Sequence, residues 1–157
     1  MNIFVLDYDP KKAAKMQCDK HVVKMPLETA QLLCAVFEQG TAPYKRTHYN
    51  HPCAIWTRTS KENFLWLVKH GIALCEEYTF RYGKIHKSKA VIFWCLKNIK
   101  KIKFSQKKRT HFVLCFDIKH KKKNTVESYR EYYRTEKRKI ANWNKERSKP
   151  NWFRFKS

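Results

Sequence analysis

The stretch between Ser60 and Gly83 constrains this chain more than any other. Phe64, Leu67, Val68, Gly71, Leu74, Cys75 and Tyr78 recur every three or four residues, which aligns them along one face of an α-helix. Ser60 stands where an N-cap is wanted, and Gly83 can take the left-handed conformation that ends a helix. A helix from Lys61 to about Tyr82 runs roughly 33 Å, and its apolar face must be covered by other elements. With three Gly and five Pro among 157 residues, and 15% aromatics, the rest of the chain is suited to supply helices. The expectation is a mainly α fold: one compact domain over 1–157, of about five helices with a short extended N-terminal segment.

The other elements follow from local chemistry. Ile3 to Leu6 is an apolar run ended by Asp7, Tyr8, Asp9 and Pro10, which suits an extended segment packing on the body. Asp9 caps and Pro10 opens a helix from Lys11 to Met25, with Pro26 expected to kink or restart it. Gly40 to Tyr49 reads as a loop, and Asn50 as the cap of a short helix carrying Ile55 and Trp56. Ser88 caps the next helix, with Val91, Ile92, Cys95, Leu96, Ile99 and Ile102 as its apolar face. The run His111 to Ile118 fits either a short strand or an extended linker. Asn124 and Glu127 form a capping box for a last helix to about Arg147, on which Tyr129, Tyr133, Ile140 and Trp143 recur.

Charge divides the chain in two. Residues 1–80 hold ten Lys/Arg against eight Asp/Glu, whereas residues 81–157 hold 25 against five and carry nearly all of the net charge of +22. A near-neutral N-terminal half and a strongly basic C-terminal half point to a polyanion as partner, with nucleic acid first. Lys97, Lys100, Lys101 and Lys108 form a basic face suited to phosphates. Trp152, Phe153 and Arg154, in the segment Pro150 to Phe155, either stack on bases and sugars or pack back on the core. The opposing reading is a general lysine bias with no partner behind it.

No stretch is apolar enough to span a membrane. Six widely spaced cysteines, with no Cys-x-x-Cys pair and no signal peptide ahead of them, are expected to be free thiols in an intracellular, reducing compartment. His48, His51, Cys53, Cys18 and His21 are metal-ligand types, but they lack the two close pairs of a zinc ribbon or finger, so no metal and no cofactor is expected.

The segment Cys18 to Gln31 carries the chemistry. His21 and Glu28 are seven residues apart, two turns along one helix face, with Lys24 between them on the same side. Val22, Val23, Ala30, Leu33, Cys34 and Phe37 make the apolar stripe beside them. The arrangement suits an active-site wall, and equally an ordinary surface helix with a Lys and Glu in mild mutual support.

Asp19-Lys20-His21 followed by Glu28, together with Pro150-Asn151-Trp152-Phe153-Arg154-Phe155, resembles the pyrimidine-dimer DNA glycosylase/AP lyase family of phage endonuclease V. Leu6-Asp7, Asp19 to Met25, Glu28 to Leu33, Asn50-His51-Pro52, Trp56, Leu74 to Glu77 and Tyr129 to Tyr133 are similar to a wider group of phage and bacterial proteins labelled as pyrimidine-dimer-glycosylase-like. The resemblance implies an enzyme on duplex DNA with damaged or modified pyrimidines, encoded by a phage or virus and acting in the host cytoplasm. In it an N-terminal α-amine attacks the sugar C1′, Glu28 is the catalytic carboxylate and His21 supports the site. Asn2 is a bulky second residue of the kind that leaves the initiator in place, so the amine would be that of Met1. Leu27 and Gln31 stand where the family has arginines, and Lys20 or Lys24 could substitute as amine or as phosphate contact to nucleic acid. Two other functions stay open: a non-catalytic basic nucleic-acid-binding protein on the same scaffold, and an enzyme acting on another base or nucleotide.

Overall fold

A computed structural model describes residues 1–154. Among them are six α-helices and no strand: α1 (Pro10–Met16), α2 (Asp19–Cys34), α3 (Pro52–Thr59), α4 (Lys61–Tyr82), α5 (Ser88–Lys97) and α6 (Thr125–Thr135). Single 3-10 turns lie at Ile99–Lys101 and Ile118–His120. The fold is therefore mainly α, as expected. His111 to Ile118 forms no strand, and Phe155 lies outside the described residues.

The long central helix is α4, against which α1, α2, α3 and α5 all pack. Ser60 caps it by accepting the Asn63 N–H, and Gly83 ends it at φ +69°. Its buried Phe64, Leu67 and Leu74 meet Leu32 and Leu33 of α2 and Ile92 and Cys95 of α5 in one core. Gly71 allows the close approach: a Cβ there would sit 2.8 Å from Thr29 Cγ2 on α2 and 3.0 Å from Ile92 Cδ1 on α5.

The first helix expected over Lys11 to Met25 is two helices, broken at Gln17 and Cys18, both extended. Long-range bonds hold this break open. Gln17 Nε2 donates to Ile3 O, Arg81 donates to Gln17 O, and Cys18 N donates to the Tyr133 hydroxyl. The N–H of Asp19 then opens α2 by donating to Asn142 O, and its carboxylate accepts the Asn144 N–H. Pro26 does not restart the helix. It lies within α2, where its ring crowds the carbonyl four residues earlier, that of Val22, and His86 Nε2 donates from outside to the next carbonyl, Val23 O. Val23, expected in the apolar stripe, is exposed.

Four helix boundaries also differ from expectation, one of them the end of α5, which stops at Lys97 and leaves Ile99 to the 3-10 turn and Ile102 to the residue after it. His51, not Asn50, caps α3, its Nδ1 accepting the Cys53 N–H. Ser88 is the first residue of α5 and not its cap; its amide donates to His86 Nδ1 and its hydroxyl pairs with Tyr44. Asn124 caps α6 through the Glu127 N–H as expected, but α6 stops at Thr135. The chain then turns back so that Trp143 Nε1 donates to Met16 O, burying Trp143 against Phe153. No helix is long and apolar enough to cross a membrane among the described residues.

Candidate active site

The start of the chain is threaded under α2. The Asn2 side-chain oxygen accepts the N–H groups of Ile3 and Phe4, a local turn that Phe4 closes at φ +58°. For a phenylalanine this left-handed conformation costs about 1–2 kcal/mol, offset here by burial of its ring against His21, 4.3 Å between centroids. The turn carries the first two residues against Glu28.

A cavity of about 220 Å³ opens there, lined by Met1, Asn2, Phe4, His21, Lys24, Met25, Glu28, Cys115, Tyr132 and Lys137. Glu28 Oε1 lies 3.5 Å from the Met1 amine and accepts the Asn2 backbone N–H at 3.3 Å. Glu28 Oε2 lies 3.5 Å from Lys24 Nζ, the i,i+4 partner on the same helix. One nearly buried carboxylate thus faces the nitrogens of Met1 and Asn2.

His21 is a neutral imidazole in this setting. Burial, reinforced by the positive charges of Lys137 and Lys24, pushes its pKa down to about 3. Its Nδ1 lies 2.6 Å from the hydroxyl of the fully buried Tyr133, so the ring is fixed between Tyr133 and Phe4. Asp19, next to the histidine in the motif, points elsewhere. Its carboxylate binds Arg81 at 3.1 Å and the Asn144 N–H at 2.7 Å, which ties the start of α2 to α4 and to the C-terminal turn.

Of the cations expected to contact nucleic acid, Lys24 lines the cavity while Lys20 is exposed on α2 outside it. Lys97, Lys100, Lys101 and Lys108 are exposed on α5, the 3-10 turn and the loop beyond, away from this cavity. Trp152 and Arg154 line a larger cleft, of about 960 Å³, with Lys122, Glu131, Arg134, Thr135 and Arg138. Phe153 is 3% exposed and packs on Trp143 and Tyr133, so it belongs to the core and offers no surface for stacking. The small cavity and the large cleft share α6 and the turn after it: Tyr132 and Lys137 face one, Arg134 and Arg138 the other.

Sequence reasoning missed Lys137, Tyr132, Phe4 and Cys115. None is in helical register with His21, and the single available signal was the position of Tyr132 within the Tyr129 to Tyr133 motif. The histidines and cysteines also sort differently from expectation. Cys18 and His21 both meet the Tyr133 hydroxyl, whereas the ligand atoms of His51, Cys53 and Cys115 lie within 4.8 Å of one another.

Fold and site together define a small helical protein built around a buried amine and carboxylate beside a cationic cleft. The family model described as pyrimidine dimer DNA glycosylase matches residues 1–90, which include Met1, His21, Lys24 and Glu28. The chain belongs to this family. Comparison with curated proteins found no match, and comparison with solved structures found none.

Proposed function

We propose that the protein is a DNA N-glycosylase with AP lyase activity on damaged or modified pyrimidine nucleotides, using its own N-terminal amine as nucleophile. The observation that carries this is the convergence of the Met1 amine and the Asn2 nitrogen on Glu28 Oε1. If Met1 is kept, its amine meets the carboxylate; if it is removed, the Asn2 nitrogen becomes an amine already at 3.3 Å. Either way the nucleophile and its base are within reach of each other.

The chemistry needs a neutral amine. An α-amine has a reference pKa near 8, and Glu28 is the group placed to take its proton. The amine attacks C1′ as the C1′ to base bond breaks, and the departing base takes up a proton. Opening of the sugar ring gives an imine between the chain and C1′. Loss of a C2′ proton then expels the 3′ phosphate, cutting the strand, and water releases the sugar. Glu28 serves as base in the first step and is the group available for the C2′ proton. His21, neutral and held by Tyr133 and Phe4, acts as a positioning residue that shapes the wall beside Glu28. Lys24 and Lys137 place positive charge at the cavity, where a flipped nucleotide brings its phosphates. The cleft of Lys122, Arg134, Arg138, Trp152 and Arg154 supplies backbone grip.

Borohydride reduction of the imine tests this directly. With abasic or dimer-containing duplex DNA it should trap a covalent complex, and mass spectrometry should place the adduct on the first residue. Glu28→Gln keeps size but removes the charge, and should slow turnover by about 10²-fold or more with DNA affinity nearly unchanged. An adduct on Lys24 or Lys137 would move the nucleophile. Tight DNA binding with no adduct, and Glu28→Gln indistinguishable from the parent, would leave a binding protein.

A further inference from the structure

The cavity has one wall that the proposed lyase chemistry does not use. Cys115 lines it, half buried, and its sulfur lies 3.0 Å from that of Cys53, which is completely buried at the start of α3. A disulfide bond is about 2.05 Å long, so the two atoms need to close by only about 1 Å to bond. His51 completes a group of three donors of the kind zinc takes. Its Nδ1, however, accepts the Cys53 N–H as the cap of α3, so in the neutral ring Nε2 carries the proton and has no lone pair for a metal. Ligation by His51 would break the cap. The two sulfurs are left as the reactive part of the cluster.

We propose that Cys53 and Cys115 are a redox-reactive dithiol pair, oxidised to a disulfide by peroxide entering through the amine cavity. Access sets the order of events. The Cys115 thiolate attacks one peroxide oxygen, the O–O bond breaks, and hydroxide leaves, giving a sulfenic acid on Cys115. The Cys53 sulfur then attacks that of Cys115, expelling hydroxide. The two thiol protons end on the two hydroxides, so two thiols and one peroxide become one disulfide and two waters.

The surroundings favour this division of labour. The hydrogen bond between the two sulfurs, against the opposing effect of burial and with smaller help from Tyr129 and the N-terminal amine, lowers the Cys115 pKa, while the same bond and burial push that of Cys53 up. The chain also contains an internal control. Cys34 and Cys95 have sulfurs 3.7 Å apart, but both are buried in the α2 and α5 packing and neither lines the amine cavity. Closing the Cys53–Cys115 bond would be felt at the site, because the Asn2 side chain donates to Cys115 O while the Asn2 backbone N–H binds Glu28.

The test needs no DNA and so stands or falls apart from the lyase reading. Reduced, folded protein is treated with hydrogen peroxide, unfolded in an alkylating reagent and mapped by mass spectrometry. The Cys53–Cys115 cross-linked peptide should appear at least about tenfold faster than any Cys34–Cys95 species. With Cys53→Ala, dimedone should label Cys115, and with Cys115→Ala, Cys53 should stay a free thiol. The proposal is overturned if both thiols of the parent protein remain alkylatable, if Cys53 oxidises without Cys115, or if the protein carries stoichiometric zinc that shields the pair.

Discussion

The sharpest structural prediction concerns Arg81, a cation with a fully buried side chain that acts on the site from a distance. It donates to Glu77 at 3.0 Å, to Asp19 at 3.1 Å, to Gln17 O at 2.7 Å and to Lys15 O at 2.9 Å. These bonds hold the end of α1 and the start of α2, the two ends of the break that sets the direction of the His21 and Glu28 helix. Arg81→Met keeps much of the volume and removes the charge. Glu77 keeps its second partner, Arg147, at 2.6 Å, so the uncompensated charge falls on Asp19, whose side chain is 7% exposed. Removing one member of a buried ion pair costs about 3–5 kcal/mol. The Asn144 N–H at 2.7 Å and the amide groups at the start of α2 keep some stabilisation of the Asp19 carboxylate, so the low end of that range, about 3 kcal/mol, is expected. Urea unfolding should show a lowered midpoint with an unchanged slope. Adding Asp19→Asn to Arg81→Met should recover part of the loss, since it removes the stranded charge. A loss below about 1 kcal/mol, or strictly additive costs in the pair of variants, would refute the argument that charge compensation fixes this junction.

Further expectations follow from single features. Gly71→Ala should destabilise by about 1–3 kcal/mol, because its Cβ would meet Thr29 and Ile92 at 3.0 Å or less; an unchanged melting temperature would show that α2 and α5 can move apart freely. Burial holds His21 neutral down to about 3 and His70 down to about 4, against 6.5 ordinarily, so the unfolded chain binds protons first as pH falls. Stability should therefore be full above about pH 6.5 and decline as pH falls towards 4; a urea midpoint that stays constant between about pH 7.5 and 4.5 would contradict this. Affinity for duplex DNA should fall steeply between about 50 and 200 mM salt, and Arg154→Ala should reduce the slope of that dependence by about one. A flat salt dependence would remove the phosphate-binding role of the cleft.

The helical character of the chain was legible because periodicity and capping are local. Ser60 and Gly83 bounded α4 correctly, and Asn124 began α6, since each acts on residues within one turn of itself. The two largest errors, one helix over Lys11 to Met25 and a last helix to Arg147, arose where a distant partner decided. Gln17 and Cys18 look helical, yet a bond from Arg81 to Gln17 O and one from the Cys18 N–H to the Tyr133 hydroxyl make the extended conformation the better satisfied one. The end of α6 was misplaced for the same reason: Trp143 finds Met16 O and Phe153 only if the helix stops early.

At the site, the sequence alone determined that His21, Lys24 and Glu28 share a helix face, because three-, four- and seven-residue spacings leave a helix no other choice. It also concentrated positive charge in residues 81–157. Only the tertiary structure decided what that face meets. The turn at Phe4 brings Met1 and Asn2 to Glu28, and the turn after α6 brings Lys137 to the same cavity. It likewise decided that Phe153 is core while Trp152 and Arg154 line a cleft, and that Cys53 meets Cys115. Such pairings join residues separated by tens of positions, and they are set by which buried polar groups and apolar faces can be satisfied together, a condition that no local window of sequence contains.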